Sequence, residues 1–449
     1  MDFSLSSSLV GSAVSNPDKL ALDLRFATDK TLTARKGPTP VFTRASSATF
    51  VGSNGLIQSA GNNVARFDHD PVSLACKGLL IEESRTNVAL YSGALVNNTG
   101  WTFIQALSAT SGTGPDGNTA YQVTETAGID THLFGNTGGT GGAGATSVVS
   151  GTVYTASIFL KKVAGSVDWV QLTFAGAGFG LAQYANFNIG TGTVGNSAGL
   201  ASGTVPRIEA FPNGWYRCSI SVAATATTSS TSNVVVAFTN NLDIVSRAPI
   251  YTGSVLNSLL ATMGQFETGT FATSYIPTTT ASVIRSADVC SISGSAFSGF
   301  YNPLEGSLSA SAIFSAPLAG STGQIIIDIN DTTANNRTRF IRNASTGFLQ
   351  YANTVGGTQD VTIAGSTAMI TGAVTKLAGC MKANDFTVYL NNVSQGVDTT
   401  CVVQPAPTTF TIGDVSSGLA TRAFINGTIS SIRYYRKRLP NAKLQALTV

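Results

Sequence analysis

The sequence predicts an all-β protein of the sandwich or jelly-roll kind, and three observations carry that reading. Apolar and polar residues alternate at period two over short runs, the mark of strands with one face inward. Clusters of Gly, Asn, Ser and Thr separate those runs, as turns do. Segments with a 3.6-residue apolar period of useful length are almost absent.

Taken in chain order, residues 1–40 are polar and weakly patterned, with one strand candidate around 20–26, and read as an N-terminal arm. Residues 41–87 read as an adapter segment. Residues 88–277 form a long β series interrupted by a Gly-rich loop at 135–147. In it Tyr154, Ala156, Ile158 and Leu160 share one face, with Thr155, Ser157 and Lys161 on the other; Tyr216, Cys218, Ile220 and Val222 form a second stripe. Residues 278–300, rich in Thr, Ser and Ala, read as a linker. Residues 301–449 form a second β series, where Phe386, Val388 and Leu390 alternate ahead of Asn391–Asn392, two residues that tolerate the positive φ of a hairpin turn. Asn426–Gly427 reads as a turn into the last strand, and Pro440 ends that strand before a short terminal helical turn.

Composition narrows the function. The 449 residues include only 11% charged ones, and the net charge is +3, too small to draw nucleic acid or an acidic membrane electrostatically. Hydroxyls and amides must wet the surface, which suits a fixed assembly better than a freely diffusing protein. Mean hydropathy is +0.19, yet no apolar run approaches the ~18 residues of a membrane-spanning helix. The first residues lack a basic stretch followed by an apolar one, so synthesis in a reducing cytosol without export is expected. The five cysteines are widely spaced with no CxxC pair and read as small buried hydrophobes.

Three stretches resemble virion appendage proteins of tailed bacteriophages. FTRASSATFVGSNGLIQSAGNNVARFDHDP (42–71) with KGLLIEESRTN (77–87) is similar to a segment near the N-terminus of many phage tail-fibre and head-fibre polypeptides. Residues 88–285 resemble a carbohydrate-binding-module-like jelly roll, in PDGNTAYQVT (115–124), YTASIFLKK (154–162), NGWYRCSISV (213–222) and GQFETGTFATSYIPTTTASVIRSADV (264–289). Residues 301–449 resemble a laminin-G/concanavalin-A-like sandwich, in FTVYLNNVSQG (386–396), TFTIGDVS (409–416) and FINGTISSIRYYRKRLPNAKLQAL (424–447). The resemblance implies a jelly roll followed by a laminin-G-like sandwich, anchored to a virion through the N-terminal region. It also implies a homotrimer, other virion proteins as partners, and host-surface glycans as ligands. Deleting residues 1–85 is then expected to leave folded β domains that no longer join the particle.

Candidate chemistry is sparse. Gly195-Asn196-Ser197-Ala198-Gly199 matches the nucleophile elbow of hydrolases, but no helix pattern follows and both histidines, His69 and His132, lie upstream. His69 between Asp68 and Asp70, before Pro71, reads as a turn, and His132 beside Leu133–Phe134 as a structural residue. Glu82 and Glu83 are adjacent and would face opposite ways in a strand; with Glu267 they yield no hydrolytic carboxylate pair. The expectation is therefore a protein that is not an enzyme. Asp328, Asn330 and Asp331 form an oxygen-rich run that is a candidate calcium site, the one cofactor in question. Trp215 and the Arg433–Arg438 run read as core and as the last strand. Trp169, Tyr351 and Asn353 are the candidate sugar contacts, an aromatic face joined to an amide. A virion-borne depolymerase or esterase and a purely architectural protein without ligand are the alternatives.

Overall fold

A computed structural model describes residues 19–96, 100–136, 146–163, 165–230, 233–318, 323–415 and 423–449. Most of the arm (1–18) and most of the Gly-rich loop (137–145) lie outside the described residues. The all-β fold class expected from the sequence is the one observed, a jelly roll followed by a second sandwich.

The jelly roll packs two six-stranded antiparallel sheets face to face. One runs Arg207–Phe211, Trp215–Ala223, Val153–Lys162, Ser258–Thr268, Thr119–Glu125, Ala106–Thr113; the other Thr193–Ala198, Tyr184–Asn188, Trp169–Thr173, Val235–Phe238, Leu133–Asn136, Trp101–Ile104. The predicted stripes lie side by side on one sheet, Ala156, Ile158 and Leu160 beside Cys218, Ile220 and Val222, and share a core with Val170, Leu172 and Phe187 of the other. Trp101 and Trp215 are both 1% exposed, but only Trp101 belongs to this core; Trp215 is buried in a separate small cluster.

The second sandwich draws on both ends of the chain. Its last strand, Gly427–Tyr435, pairs along one side with Glu305–Phe314. Along the other side it pairs with two N-terminal strands laid end to end: Cys76–Ile81 against residues 427–429 and Leu20–Leu24 against residues 432–435. The opposing sheet runs from Val41–Thr43 through Val289–Ser293, Thr409–Ile412, Gln324–Asn330, Arg337–Arg342 and Phe348–Val355 to Thr358–Ala368. Leu22, Leu24, Phe26, Leu79 and Ile81 are each 0% exposed in one core with Phe340, Phe386 and Ile429.

This arrangement corrects the expected division into arm, adapter and linker. The first forty residues looked unable to close a core because the apolar face of Leu20–Leu24 is completed by a strand four hundred residues away. The expected linker at 278–300 contains the sheet strand Val289–Ser293 and the helix Gly294–Phe300, whose Phe297 and Phe300 are buried in the same core. The local features of the C-terminal half are as expected. Asn391 and Asn392 take φ of 45° and 70° in the hairpin turn, and the helix Asn441–Ala446 follows Pro440.

Candidate binding cleft

The first jelly-roll sheet is covered on its outer face as well. Phe159, Phe211, Trp215, Met263 and Tyr275 form a small buried cluster there, and Val51 and Ile57 of the hairpin Ala48–Val51/Ile57–Ala60 pack against it. Where this cover is incomplete, a cleft of about 410 Å³ opens between the N-terminal segment, the jelly roll and the second sandwich. Its apolar wall includes Phe50, Phe159, Phe211 and Tyr275. Phe211 meets Phe159 edge-on at 4.9 Å, and the Arg217 guanidinium lies over the Phe159 ring at 5.6 Å. Its polar wall includes Asp68, Asp70, Lys77, Glu82, Glu209 and Arg217.

Most of these charges are committed. Asp68 accepts from Val51 N at 2.8 Å and pairs with Lys77 Nζ at 2.6 Å. Burial pulls the Lys77 ammonium down, but Asp68, then Glu209 and Asp70, outweigh it and the net direction is up. Asp70 caps its own turn, accepting from Ser73 N at 2.7 Å and Val72 N at 3.1 Å. Glu209 is exposed, opposite Arg217 in strand register, and has no ion pair among the described residues. The cleft therefore combines ring surface with a lysine among three carboxylates, of which Glu209 is the one without an ion pair or cap among the described residues.

Behind the cleft lies a buried ionic network built from the stretches that looked like an adapter. Glu82 Oε2 accepts from Arg66 Nη1 at 2.8 Å, Arg285 Nη1 at 2.9 Å and Ser274 Oγ at 2.7 Å, while Oε1 accepts from Ser274 N at 2.8 Å. Asp288 accepts from Arg44 Nη1 at 3.1 Å, Arg66 Nη2 at 2.5 Å and Glu82 N at 2.9 Å. Arg44 further donates to Gly61 O at 2.7 Å and Arg66 to Thr49 O at 2.8 Å. Three guanidinium groups and two carboxylates thus join the N-terminal segment to the 274–288 segment that runs from the jelly roll into the second sandwich. Charged side chains this deeply buried persist only with such pairing.

The sequence-derived candidates fall in separate places. Trp169 is half-buried on the outer face of the second jelly-roll sheet. Its ring packs on Gly195, where an added Cβ would stand 2.5 Å from Trp169 Cζ3, so that position requires a glycine. A strap of residues 241–248 crosses the same face. Gln171 donates to Ser246 O at 2.9 Å and accepts from Ala248 N at 2.7 Å; Asn186 donates to Ile244 O at 2.7 Å; Arg247 donates to Thr173 Oγ1 at 2.8 Å. Trp169 thus sits at the edge of a sealed polar face.

Tyr351 and Asn353 lie in the other sandwich and are corrected from surface contacts to core. The hairpin expected there exists, but period two turns both residues inward. Tyr351 is 0% exposed, stacks on Phe340 at 4.6 Å and donates to Cys380 O at 3.1 Å. Asn353 is also 0% exposed, accepting from Thr338 Oγ1 at 2.7 Å and donating to Val402 O at 3.0 Å.

The calcium candidates do not share a cage. Asp328 and Asn330 are buried on the sheet, with Asp328 Oδ2 accepting from Arg337 Nη2 at 2.8 Å. Asp331 is spent on its own loop, accepting from Thr333 N at 2.8 Å and Asn336 Nδ2 at 2.8 Å. No group of three or more His, Cys, Asp or Glu suited to a metal ion occurs among the described residues.

Ser197 lies exposed on the strand Thr193–Ala198, not on a strand-to-helix turn. His132 faces two carbonyl oxygens, Gln105 O at 2.9 Å and Tyr251 O at 3.2 Å, and His69 Nδ1 faces Val51 O at 3.1 Å. Glu267 closes the turn after it by accepting from Thr273 N at 2.9 Å. Glu83 faces away from the Glu82 network and accepts from Asn426 Nδ2 at 3.1 Å. Sequence reasoning missed Phe50, Lys77, Glu209 and Arg217 as cleft residues. No local pattern marks them, because they come from strands far apart in the sequence.

No protein-family model and no curated protein matches the chain. Among solved structures it is similar to domain 4 of AbnA, a GH43 extracellular arabinanase from Geobacillus stearothermophilus, in complex with arabinotriose. The identity is 16% and the TM-score 0.30, over 40% of this chain and 82% of that one. It is similar to domains LG4-5 of the mouse laminin alpha1 chain at 10% identity and TM-score 0.24, over 67% and 88% of the two chains. The tandem CBM22 domains of Paenibacillus barcinonensis Xyn10C follow at 11% identity and TM-score 0.21, over 77% and 94%.

Proposed function

We propose that this chain is a glycan-binding protein whose sugar site is the cleft at the junction of the two sandwiches. The observation that carries the reading is the pairing, in one recess, of the half-buried Phe50 ring, beside the mostly covered rings of Phe211 and Tyr275, with the carboxylate of Glu209 and the ammonium of Lys77. Sugar C–H faces pack on aromatic rings, and their hydroxyls donate to carboxylates and accept from ammonium groups. The recess favours binding over hydrolysis. Asp68, Asp70 and Glu82 are each held by fixed partners, which leaves Glu209 without a second free carboxylate to share acid and base duties.

The resemblance of residues 42–87 to phage fibre segments supports the further reading of the chain as a virion appendage that displays a weak lectin site in several copies. Tethering on one particle raises avidity about 10²–10⁴-fold without new contacts. The test is a neutral-oligosaccharide array on the full-length protein with Glu209→Gln and Phe50→Ala. Loss of binding by about tenfold or more in both, with unchanged thermal unfolding, is expected from removing one charge-assisted hydrogen bond or one ring face. Wild-type protein that binds nothing, or variants that bind as well as wild type, would overturn the assignment.

A further inference from the structure

The second sandwich carries a separate recess on its outward face. Alternation along Arg337–Arg342 places Arg337, Arg339 and Ile341 on one side, while Phe340 points into the core. Strand register sets Asp328 opposite Arg339 and Ile325 opposite Ile341. A groove of about 330 Å³ opens over them, lined by Arg337, Arg339, Ile325, Ile341, Asn343 and Gln350.

The charges in this groove do not balance. Two guanidinium groups face one carboxylate, and the contact is single-point, Arg337 Nη2 to Asp328 Oδ2 at 2.8 Å. Arg339 has no ion pair among the described residues; its side-chain hydrogen bond is a long one, Nη2 to Thr354 Oγ1 at 3.5 Å. Arg337 is 6% exposed, and Arg337 Nε, Arg339 Nε and Asp328 Oδ1 are each buried without a hydrogen-bond partner. Burial, and then the Arg337 charge, pull Arg339 down to about 10, which still leaves it cationic at neutral pH. Buried charged donors without acceptors are costly, and arginine forks match planar or tetrahedral oxyanions in two-point geometry. The apolar floor of Ile325 and Ile341 adds a surface against which a ring can lie.

We propose that this groove is an oxyanion site for an acidic saccharide, with Arg339 and Arg337 taking the carboxylate of a uronate and Ile325 and Ile341 taking the face of its ring. The saccharide part rests on the glycan reading above; the oxyanion part stands on the arginine geometry. It lies apart from the junction cleft, with no lining residue in common.

The experiment is calorimetric titration of the full-length protein with a glucuronate oligosaccharide, a neutral glucose oligosaccharide and inorganic sulfate. Each is run against wild type, Arg339→Gln, Arg339→Lys and Glu209→Gln. Arg339→Gln is expected to weaken glucuronate binding by about tenfold or more, the scale of a charge-assisted hydrogen bond, and to leave neutral-sugar binding unchanged. Arg339→Lys keeps the charge but not the fork and is expected to fall between, and it serves as the reporter should the glutamine variant fold poorly. Glu209→Gln is expected to do the reverse, sparing glucuronate and weakening the neutral sugar, so the two sites fail separately. No glucuronate binding, binding indifferent to Arg339, or sulfate bound through Arg339 while glucuronate is refused would each overturn the proposal.

Discussion

Arg66 Nη2 and Asp288 Oδ2 stand 2.5 Å apart, both side chains completely shielded, although 222 residues separate them in the chain. The contact ties the segment that precedes the jelly roll to the segment that leaves it. Asp288→Asn keeps the shape and removes the charge that Arg44 and Arg66 share. Breaking one partner of a buried ion pair costs about 3–5 kcal/mol. Denaturant unfolding of the full-length variant should show a loss of that size; a loss below ~1 kcal/mol would mean that the network is loosely solvated.

Stability should fall in mild acid, through Glu82. Burial pushes its carboxyl up, but Arg285, Arg66 and the Ser274 hydrogen bonds outweigh that and hold it at about 2, against an ordinary 4.5. A folded-state value below the unfolded one contributes stability that is complete above pH ~4.5 and lost as pH falls toward ~2. The contribution is on the order of 3 kcal/mol. Melting temperature measured from pH 6 to pH 2 should decline across that window, and Glu82→Gln should flatten the slope whatever it does to the absolute value.

Removing residues 1–85 should not leave two intact β domains. It takes away Leu20–Leu24 and Cys76–Ile81, bares one side of Gly427–Tyr435, and strips Arg44, Arg66 and Glu82 from the network. The truncated chain is expected to aggregate through that exposed strand or to lose the cooperative transition of the second sandwich. A soluble product with the full-length melting profile would count against the shared sheet.

The strap over the second jelly-roll sheet should loosen when Gln171 is cut back to alanine. Asn186 Oδ1, Ser246 O and Ala248 N each lose a partner. A cost of ~1–3 kcal/mol follows from buried polar groups left unmet. Hydrogen exchange over residues 241–248 should accelerate; exchange unchanged at Ala248 would show that Arg247 and Asn186 hold the strap unaided.

Period-two patterning made the strands legible, and with them the inward stripe from Tyr154 to Leu160. It was silent on what covers the reverse face. Thr155 and Ser157, on the face opposite that stripe, are each 1% exposed, with Ser221 and Gly269 O partnering the first and Arg217 the second. The same gap misplaced Tyr351 and Asn353. A hairpin identifies two sets of alternating residues without saying which set is inside, and an Asn that hydrogen-bonds Thr338 and Val402 O is as polar in sequence as one that meets a sugar. The junction left no mark in the local pattern, since Arg66 and Asp288 are too far apart for any such pattern to join them.

The pairing of Leu20–Leu24 with the final strand also sets a timetable. Asp23 and Arg433, 410 residues apart, belong to neighbouring strands. At ~5–20 residues per second a ribosome needs about 20 to 80 s to travel between them. Throughout that interval Leu20–Leu24 lacks the strand that completes its sheet, while every strand of the jelly roll, the last of them Ser258–Thr268, is made in between. The second sandwich can close only after Gly427–Tyr435 has been made, so nascent copies held near one another on a polysome could exchange their Leu20–Leu24 strands before each finds its own.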